Sequence, residues 1–288
     1  MQIISGSALA KEIKSQLAVE IETLKEKFHR IPKLSIILVG EDTDSMKYVK
    51  SKGKACADIG MEGELHFLPE NTTQDELLEL IRFLNADETV DGILIQLPLP
   101  VHIDTEHVLE AVDYRKDADG LHPMNAGKLF DGSEGILPCT PKGILSLLRY
   151  GNVPIVGKQV VILGRSNLVG KPTAQLLLRE NATVTICHSK TEDLANIVKQ
   201  ADILVLAMGN PDVATPAMLK SGVVIVDVAM NWVDNKLGGD IYYERNLPEL
   251  EKVVSAITPV PGGVGPMTIT SLLENTFEIY KRTINNEQ

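Results

Sequence analysis

The sequence is short of cysteine, of long apolar runs and of positive charge. Its three cysteines, Cys56, Cys139 and Cys187, are scattered and form no CxxC pair, which argues against a disulfide framework or a zinc cluster and indicates a reducing compartment. No apolar stretch approaches the ~18 residues of a membrane span, and the N-terminal residues lack the basic-then-apolar design of a signal peptide. We therefore expect a cytoplasmic protein. A net charge of −11 repels nucleic acid and anionic membranes, so neither is an expected partner.

The 288 residues, 44% hydrophobic and 23% charged, have the composition of an ordinary globular protein and the length of two domains. Strand-like apolar runs alternate with helix-like periodicities in both halves, which predicts parallel sheets with crossover helices. The predicted strands are residues 34–39, 64–68, 92–95, 159–163, 183–187, 203–207, 223–226 and 253–256. The predicted helices are residues 7–28, 44–59, 73–85, 141–150, 169–180, 192–200 and 267–284.

A middle segment rich in glycine, proline and aspartate, residues 113–141, is predicted to be linker and loops. We therefore place a first domain at residues 1–140 and a second at 141–265. The last helix follows the final strand across a Pro/Gly-rich joint, so residues 266–288 are expected to complete the first domain. The predicted fold class is α/β, with two α/β domains around a cleft and a parallel, Rossmann-like sheet in the second.

A glycine-containing loop lies between a predicted strand and a predicted helix of the second domain. Gly164 and Gly170 are six residues apart, which departs from the GxGxxG spacing. Such a loop lets the backbone approach a pyrophosphate and presents helix N–H groups to it, although a plain glycine turn of an α/β protein is the alternative. The residues expected to bind a dinucleotide here are Gly164, Arg165, Ser166, Val169 and Gly170.

The end of the next strand indicates which dinucleotide the loop would take. An NAD site carries Asp or Glu there for the ribose hydroxyls, whereas this strand ends in His188-Ser189-Lys190. Ser189, nearby positive charge and Arg165 would bind a 2′-phosphate through charge-assisted hydrogen bonds, so NADP is the expected cofactor. The ring of His188 either joins this site or is simply a polar group at a strand end.

One lysine of the helix predicted at residues 44–59 lies apart from the others. At about 100° per residue, Lys47, Lys50 and Lys54 share a solvated face, while Lys52 lies on the other side with Tyr48. Partial burial would lower the pKa of such a lysine and let it exchange protons near neutrality. The alternative is a lysine that extends its ammonium group into water.

Further polar residues follow predicted strands or fill loops of the first domain. Gln96 comes directly after residues 92–95, and α/β ligand crevices open at the carboxyl ends of parallel strands. Asp117 and Asp119 could bind a metal, but no further ligand spacing supports one, and they could equally cap turns. We therefore predict no metal.

These motifs occur in an order that resembles the bifunctional methylenetetrahydrofolate dehydrogenase/methenyltetrahydrofolate cyclohydrolase family over essentially the whole chain. The motifs are Val39-Gly40 followed by Ser45; Tyr48-Val49-Lys50-Ser51-Lys52; Gln96-Leu97-Pro98-Leu99-Pro100; Lys116-Asp117-Ala118-Asp119-Gly120; Pro138-Cys139-Thr140-Pro141; Gly164-Arg165-Ser166 with Val169-Gly170; and Pro259-Val260-Pro261-Gly262-Gly263-Val264-Gly265-Pro266-Met267-Thr268.

The resemblance implies a role for each matched residue. Lys52 is implied to be the catalytic lysine, with Gln96 setting its protonation, and Tyr48 to orient the folate together with Leu97. Asp119 is implied to anchor the pterin ring. The remaining implied contacts are Pro261, Gly262 and Gly263 with folate, and Arg165 and Ser189 with the 2′-phosphate of NADP.

The implied chemistry is NADP-dependent oxidation of 5,10-methylenetetrahydrofolate, followed by hydrolysis of the methenyl product to 10-formyltetrahydrofolate. The hydride step needs positioning, whereas water attack and ring opening move protons, which suits a tuned lysine. The resemblance also implies tetrahydrofolate derivatives as substrates, one-carbon metabolism that supplies purine biosynthesis, and a homodimer formed through the nucleotide domain. A different two-domain NADP dehydrogenase and a non-catalytic NADP sensor are the alternatives.

One segment departs from the family pattern. Ala229 replaces the glycine usual after Asp227-Val228, and Trp232 stands where a basic residue is common. We expect this segment near the nicotinamide half of the cofactor, so the added methyl of Ala229 puts contact with the cofactor there in doubt.

Overall fold

The computed structural model describes residues 1–211, 213–233, 236–241 and 243–286, which form two compact α/β units. The first unit, which corresponds to the predicted second domain, consists of Met1–Lys11 and Pro138–Thr268. The second unit, which corresponds to the predicted first domain, consists of Glu12–Leu137 and Ile269–Gln288. Residues 287 and 288 of the segment expected to complete the first domain lie outside the described residues. The sequence predicts residues 1–11 to belong to the N-terminal domain, whereas the structure groups them with the C-terminal one. The reason is a strand at Gln2–Ile3 that pairs in parallel with Val254–Ile257.

The structure contains each predicted strand and helix, and its described residues add three short strands and three helices that the sequence does not predict. The strands are β1 (Gln2–Ile3), β2 (Lys33–Val39), β3 (Glu62–Leu68), β4 (Gly92–Ile95), β5 (Gln159–Leu163), β6 (Thr183–Cys187), β7 (Ile203–Leu206), β8 (Val223–Asp227), β9 (Asn231–Val233), β10 (Lys236–Gly238) and β11 (Val254–Ile257). The helices are α1 (Gly6–Phe28), α2 (Thr43–Ala57), α3 (Gln74–Ala86), α4 (Thr105–Ala111), α5 (Pro123–Asp131), α6 (Cys139–Tyr150), α7 (Gly170–Arg179), α8 (Leu194–Val198), α9 (Tyr243–Val253) and α10 (Val264–Asn286), with a 3₁₀ turn at Pro216–Met218.

A six-stranded sheet forms the centre of the first unit, in the order β1-β11-β8-β7-β5-β6. Every pairing in it is parallel, and most of its residues are buried apolar side chains, as expected for a sheet covered on both faces. The chain leaves β5 for β6 on one side and then returns to β7 on the other side of β5. This change of direction creates a switch point at the carboxyl ends of β5 and β7, where α/β sheets bind ligands.

The second unit is built on a three-stranded parallel sheet in the order β3-β2-β4. Apolar side chains of β2 and β4 pack with α3 and α4 into one buried cluster. Helix α3 begins with a capping box, in which the Thr73 hydroxyl accepts the Glu76 N–H and the Glu76 carboxylate accepts the Thr73 N–H. Thr73 is therefore the residue that caps this helix.

The prediction that residues 113–141 are linker and loops is wrong, because the segment contains helix α5. The His122 ring accepts the Met124 N–H, Pro123 occupies the first turn, and Gly132 ends the helix in a left-handed conformation at φ 85°. Only two of its nine residues, Asn125 and Leu129, are buried. The helix is short, and its Pro123, Asn125 and Gly127 are residue types typical of turns, which is why the composition of the segment predicts loops.

Among the described residues, no helix has both the length and the apolar character needed to cross a membrane.

Candidate functional site

Lysine 52 lies on the partly buried side of α2. Lys47, Lys50 and Lys54 are exposed, as the helical periodicity predicts, whereas Lys52 is half-buried one turn after Tyr48. The Lys52 ammonium does not simply extend into water, because its Nζ donates a hydrogen bond of 2.9 Å to Gln96 Oε1. The structure thus brings together two residues that are 44 positions apart in the sequence.

The amide of Gln96 is oriented by its own contacts. Its Nε2 donates to the Leu97 carbonyl at 2.7 Å, and its backbone N–H donates to the Ile37 carbonyl of β2 at 2.9 Å. The amide N–H₂ is therefore engaged on one side, so the carbonyl oxygen must face the lysine. Lys52 thus has a neutral, directed acceptor, which orients the amine without the strong attraction that a carboxylate would exert on its proton.

The segment carrying Asp119 runs beside β4. Ile93 forms a parallel bridge with Asp117, and its N–H donates to the Lys116 carbonyl at 2.7 Å. Asp119 follows in a turn, which the Gly120 N–H closes by donating to the Asp117 carbonyl at 3.2 Å. Asp119 is partly buried, and Tyr48 is 43% exposed. Both side chains therefore remain accessible to a ligand.

The two aspartates of this segment have different structural environments. Asp117 is buried, and its carboxylate accepts the N–H groups of Gly120, Leu121 and His122 together with the side-chain amide of Asn125. Burial raises the pKa of the Asp117 carboxyl, and these donors oppose the rise. Asp117 therefore caps the turn that presents Asp119, as one of the two sequence alternatives predicts.

A residue of α10 supports the same turn, and the sequence analysis did not single it out. The Asn275 side chain donates to the carbonyls of Ala118 and Leu137 at 2.9 and 2.8 Å. Several polar residues of α10 are fully buried beside apolar ones, namely Thr270, Ser271, Asn275 and Thr276, so the sequence pattern does not single out Asn275. No group of three or more His, Cys, Asp or Glu residues placed to hold a metal is found within the described residues.

The glycines of the loop after β5 allow its backbone to pack closely. Gly164 has a φ of +131°, and a Cβ there would lie 2.4 Å from the Ala207 carbonyl oxygen at the end of β7. A Cβ on Gly170 would lie 2.2 Å from the Gly164 carbonyl oxygen. Between them, Arg165 and Ser166 are exposed at the switch point of the sheet.

The start of α7 suits the phosphates of a dinucleotide. Ser166 Oγ accepts the N–H groups of Val169 and Gly170, at 3.1 and 3.4 Å, which organises the turn before the helix. The first turn of α7 carries no acidic residue, and its N-cap residue is Val169, so no negative charge of the helix itself neutralises the positive end of its dipole. The residues present therefore fit a bound pyrophosphate.

At the end of β6, His188 has a local structural role. Its Nδ1 accepts the Lys190 N–H at 3.1 Å, and its own N–H donates to the Thr191 hydroxyl at 2.9 Å. These contacts shape the turn that leaves Ser189 and Lys190 exposed on the side of the sheet next to β5. Ser189 is thus accessible to a ligand, while one nitrogen of the His188 ring, Nδ1, is engaged in its own turn.

The segment that departs from the family pattern follows β8. Ala229 is 8% exposed, so the protein itself covers most of its added methyl group. Its N–H donates to Asp227 Oδ1 at 3.3 Å. Trp232, in contrast, is 73% exposed on the hairpin of β9 and β10, where it pairs with Leu237.

The loop at Pro261, Gly262 and Gly263 is held by the beginning of the chain. The Ser7 N–H donates to the Gly262 carbonyl at 3.0 Å. Gly6 approaches so closely that a Cβ there would lie 1.8 Å from the Gly263 carbonyl oxygen. Residues 1–11 therefore shape this loop, which explains their place in the first unit.

Comparisons with known proteins cover both units. A model of the tetrahydrofolate dehydrogenase/cyclohydrolase catalytic domain matches residues 4–119, and the model of the corresponding NAD(P)-binding domain matches residues 138–284. A curated relative from Sulfurihydrogenibium sp. (strain YO3AOP1), named bifunctional protein FolD, is 52% identical over 286 residues, which are 99% of each chain.

Two solved structures are similar over nearly their whole length. One is the bifunctional methylenetetrahydrofolate dehydrogenase/cyclohydrolase FolD of Campylobacter jejuni, with a TM-score of 0.95 and 46% identity over 98% of this chain and 99% of that one. The other is the Trypanosoma brucei enzyme complexed with NADP cofactor and inhibitor, with a TM-score of 0.93 and 39% identity over 98% of each chain.

Proposed function

Because the chain belongs to the tetrahydrofolate dehydrogenase/cyclohydrolase family, we propose that it is a bifunctional one-carbon folate enzyme. It oxidises 5,10-methylenetetrahydrofolate to 5,10-methenyltetrahydrofolate with NADP and then hydrolyses that product to 10-formyltetrahydrofolate. The observation that carries this proposal is the 2.9 Å hydrogen bond between Lys52 Nζ and Gln96 Oε1, since it orients an amine at the ligand-binding end of a parallel sheet.

In the second unit, four residues have proposed roles at the folate. Tyr48 and Leu97 contact its ring system, Asp119 accepts hydrogen bonds from the pterin, and Lys52 lies at the reacting carbon. During hydrolysis a water oxygen bonds to the methenyl carbon, a carbon–nitrogen bond breaks and the oxygen becomes the formyl carbonyl. Both water protons must therefore leave the oxygen, one to reach the leaving nitrogen and one to be released to solvent. Lys52 moves these protons, and Gln96 keeps its amine aimed at the reacting atoms.

In the first unit, the cofactor's phosphates lie at the start of α7. When bound, NADP accepts the hydride that leaves the methylene carbon of the folate. The backbone from Gly164 to Gly170 receives the pyrophosphate, and Arg165 and Ser189 bind the 2′-phosphate. Both side chains are exposed, on neighbouring strand ends, and the turn at Ser189 contains no acid that would repel the phosphate. The loop at Pro261, Gly262 and Gly263 contacts the folate.

A spectrophotometric assay tests the proposed function. With methylenetetrahydrofolate and NADP, we expect reduced cofactor to accumulate and methenyl absorbance to rise and then decay. With NAD in place of NADP, we expect a slower reaction at equal concentration. Absence of turnover, together with absence of folate binding in calorimetry, would leave a different NADP dehydrogenase as the better description.

Replacing Arg165 with alanine is expected to weaken NADP binding by about 10- to 100-fold, because a hydrogen bond to a charged group contributes about 1.5–3 kcal/mol. The affinity for NAD, which has no 2′-phosphate, should change less than about twofold. Calorimetric titration with each dinucleotide measures both effects. Arg149→Ala is the matched control, since Arg149 pairs with Glu180 just beyond the opposite end of α7. Equal losses for NADP and NAD would contradict the role given to Arg165.

We also propose that the enzyme is a cytoplasmic homodimer. The three free cysteines, all buried, suit a reducing compartment. β6 is an edge strand of the six-stranded sheet, and its Thr185 and Ile186 are exposed. An unprotected edge of this kind is suited to pairing with a second copy of the chain.

A further inference from the structure

Two buried carboxylates of the first unit have no part in the roles proposed above. Asp227 ends β8 and is 2% exposed, and Asp240 follows β10 and is 0% exposed. Buried carboxylates are costly unless hydrogen-bond donors compensate them. The donors that compensate this pair come from loops at the carboxyl end of the six-stranded sheet.

Asp240 binds the loop that follows β7. Its Oδ2 accepts the N–H groups of Met208 and Gly209 at 2.8 and 3.2 Å, and its Oδ1 accepts the Asn210 N–H at 2.7 Å. Three consecutive backbone N–H groups therefore converge on one side chain. Oδ1 also accepts the Asn231 side-chain amide at 3.0 Å, which ties the hairpin of β9 and β10 to the same carboxylate.

Asp227 holds Asp240 in place. Its Oδ1 and Oδ2 accept the backbone N–H groups of Asp240 and Ile241 at 3.0 and 3.1 Å. Gly239 makes this approach possible, because a Cβ on Gly239 would lie 2.0 Å from Asp227 Oδ2. Asp227 at the end of β8 therefore positions Asp240, and Asp240 in turn positions the loop after β7.

The loops that this pair holds lie beside the phosphate-binding loop. The sheet order is β8-β7-β5-β6, and Gly164 at the end of β5 packs directly against Ala207 at the end of β7. With the 2′-phosphate on the β6 side and the pyrophosphate at β5, the nicotinamide half of the cofactor extends toward β7 and β8. We infer that Asp240, held by Asp227, positions the loops at residues 208–210 and 228–231 that receive the nicotinamide half of NADP. This inference rests on the proposed function.

The substitution Asp240→Asn tests the inference. Each carboxylate oxygen of Asp240 accepts hydrogen bonds from two N–H donors. In the asparagine variant an N–H₂ group replaces one of these oxygens and cannot accept, so two hydrogen bonds are lost and part of the loop is released. We expect calorimetry to show NADP binding weakened at least ~10-fold, with the KM for NADP raised in parallel. The KM for the folate and the hydrolysis of methenyltetrahydrofolate, a reaction that uses no cofactor, should stay within about twofold of the wild type.

Trp232, the only tryptophan of the chain, supplies a second measurement without cofactor. It directly follows Asn231, so release of that amide should shift its fluorescence emission in both Asp240→Asn and Asn231→Ala. Asn231→Ala removes one contact of Asp240 and is expected to weaken NADP binding about threefold. If Asp240→Asn does not fold, the milder variant Asn231→Ala tests the inference in its place.

Asp202→Asn is the matched control. Asp202 also accepts a backbone N–H, from Gln159, and pairs with Lys220, but it lies at the amino end of β5, at the opposite end of the sheet. Its substitution should leave NADP affinity unchanged. An unchanged NADP affinity in folded Asp240→Asn or in Asn231→Ala overturns the inference, as do equal losses of hydrolysis and NADP binding in a folded variant. A wild-type enzyme without dehydrogenase turnover would instead refute the proposed function.

Discussion

Replacing Lys52 with methionine is expected to lower the rate of methenyltetrahydrofolate hydrolysis by about 10²- to 10⁴-fold, the contribution typical of general acid–base catalysis. Methionine has a similar length and keeps the packing of the half-buried stem, but it carries no proton and cannot donate to Gln96. The loss should therefore lie in kcat. Affinity for NADP should not change, because the proposed phosphate-binding residues belong to the other unit. Decay of the methenyl absorbance measures the rate, and calorimetry measures the affinity.

The same helix offers a matched control in Lys50→Met. Lys50 lies two residues from Lys52 on the exposed side of α2. Its substitution therefore changes the same helix and removes the same charge from the protein. We expect hydrolysis within about twofold of the wild type for this variant. Full hydrolysis in Lys52→Met would refute the role of Lys52, and equal losses in both variants would indicate a general effect of charge on folate binding.

Replacing Gly170 with alanine is expected to weaken NADP binding at least ~100-fold, because the added methyl group meets backbone atoms that cannot rotate away. The new Cβ would lie 2.2 Å from the Gly164 carbonyl oxygen, 2.6 Å from its carbon and 2.9 Å from Arg165 Cα. The turn must open to admit it, which moves the N–H groups and Arg165 from their positions and costs about 1–3 kcal/mol of stability by overpacking. Calorimetry and thermal unfolding measure the two effects.

Gly127→Ala controls for the helical glycine itself. Gly127 lies in α5, and a Cβ there meets nothing within 4 Å. This variant should keep NADP affinity and should gain slightly in stability, because alanine has the higher helix propensity. Hydrolysis should persist in folded Gly170→Ala, since Lys52 and Gln96 lie in the second unit. NADP binding at wild-type strength in this variant would show that the close approach of the two glycines does not shape the cofactor site.

Much of the secondary structure follows from local patterns. The strands predicted at residues 92–95, 159–163 and 183–187 are observed with the same bounds. The first two are mainly buried apolar runs between turn residues, whereas the third is mostly exposed and is rich in β-branched residues. Strand β1 gives no such signal. It has two residues and is defined by its pairing with β11, more than 250 positions away in the sequence.

Some features of the candidate site likewise follow from local sequence, and others do not. The periodicity of α2 separates Lys52 from the three exposed lysines, and the absence of an acid after β6 predicts NADP, since both are properties of neighbouring residues. Local sequence could not decide between Asp117 and Asp119. Their roles differ because the fold buries Asp117 under three backbone N–H groups and leaves Asp119 accessible.

The sequence by itself therefore determined the α/β alternation, the side of α2 on which Lys52 lies, and the charge pattern of the nucleotide loop. These features depend on the 3.6-residue helical repeat, on apolar runs and on adjacent charges, which act over a few residues. The tertiary structure decided the contact of Lys52 with Gln96, the support of Asp119 by Asn275, and the linked carboxylates of Asp227 and Asp240. Each joins segments that are distant in the sequence, and its geometry exists once the sheets and helices have packed.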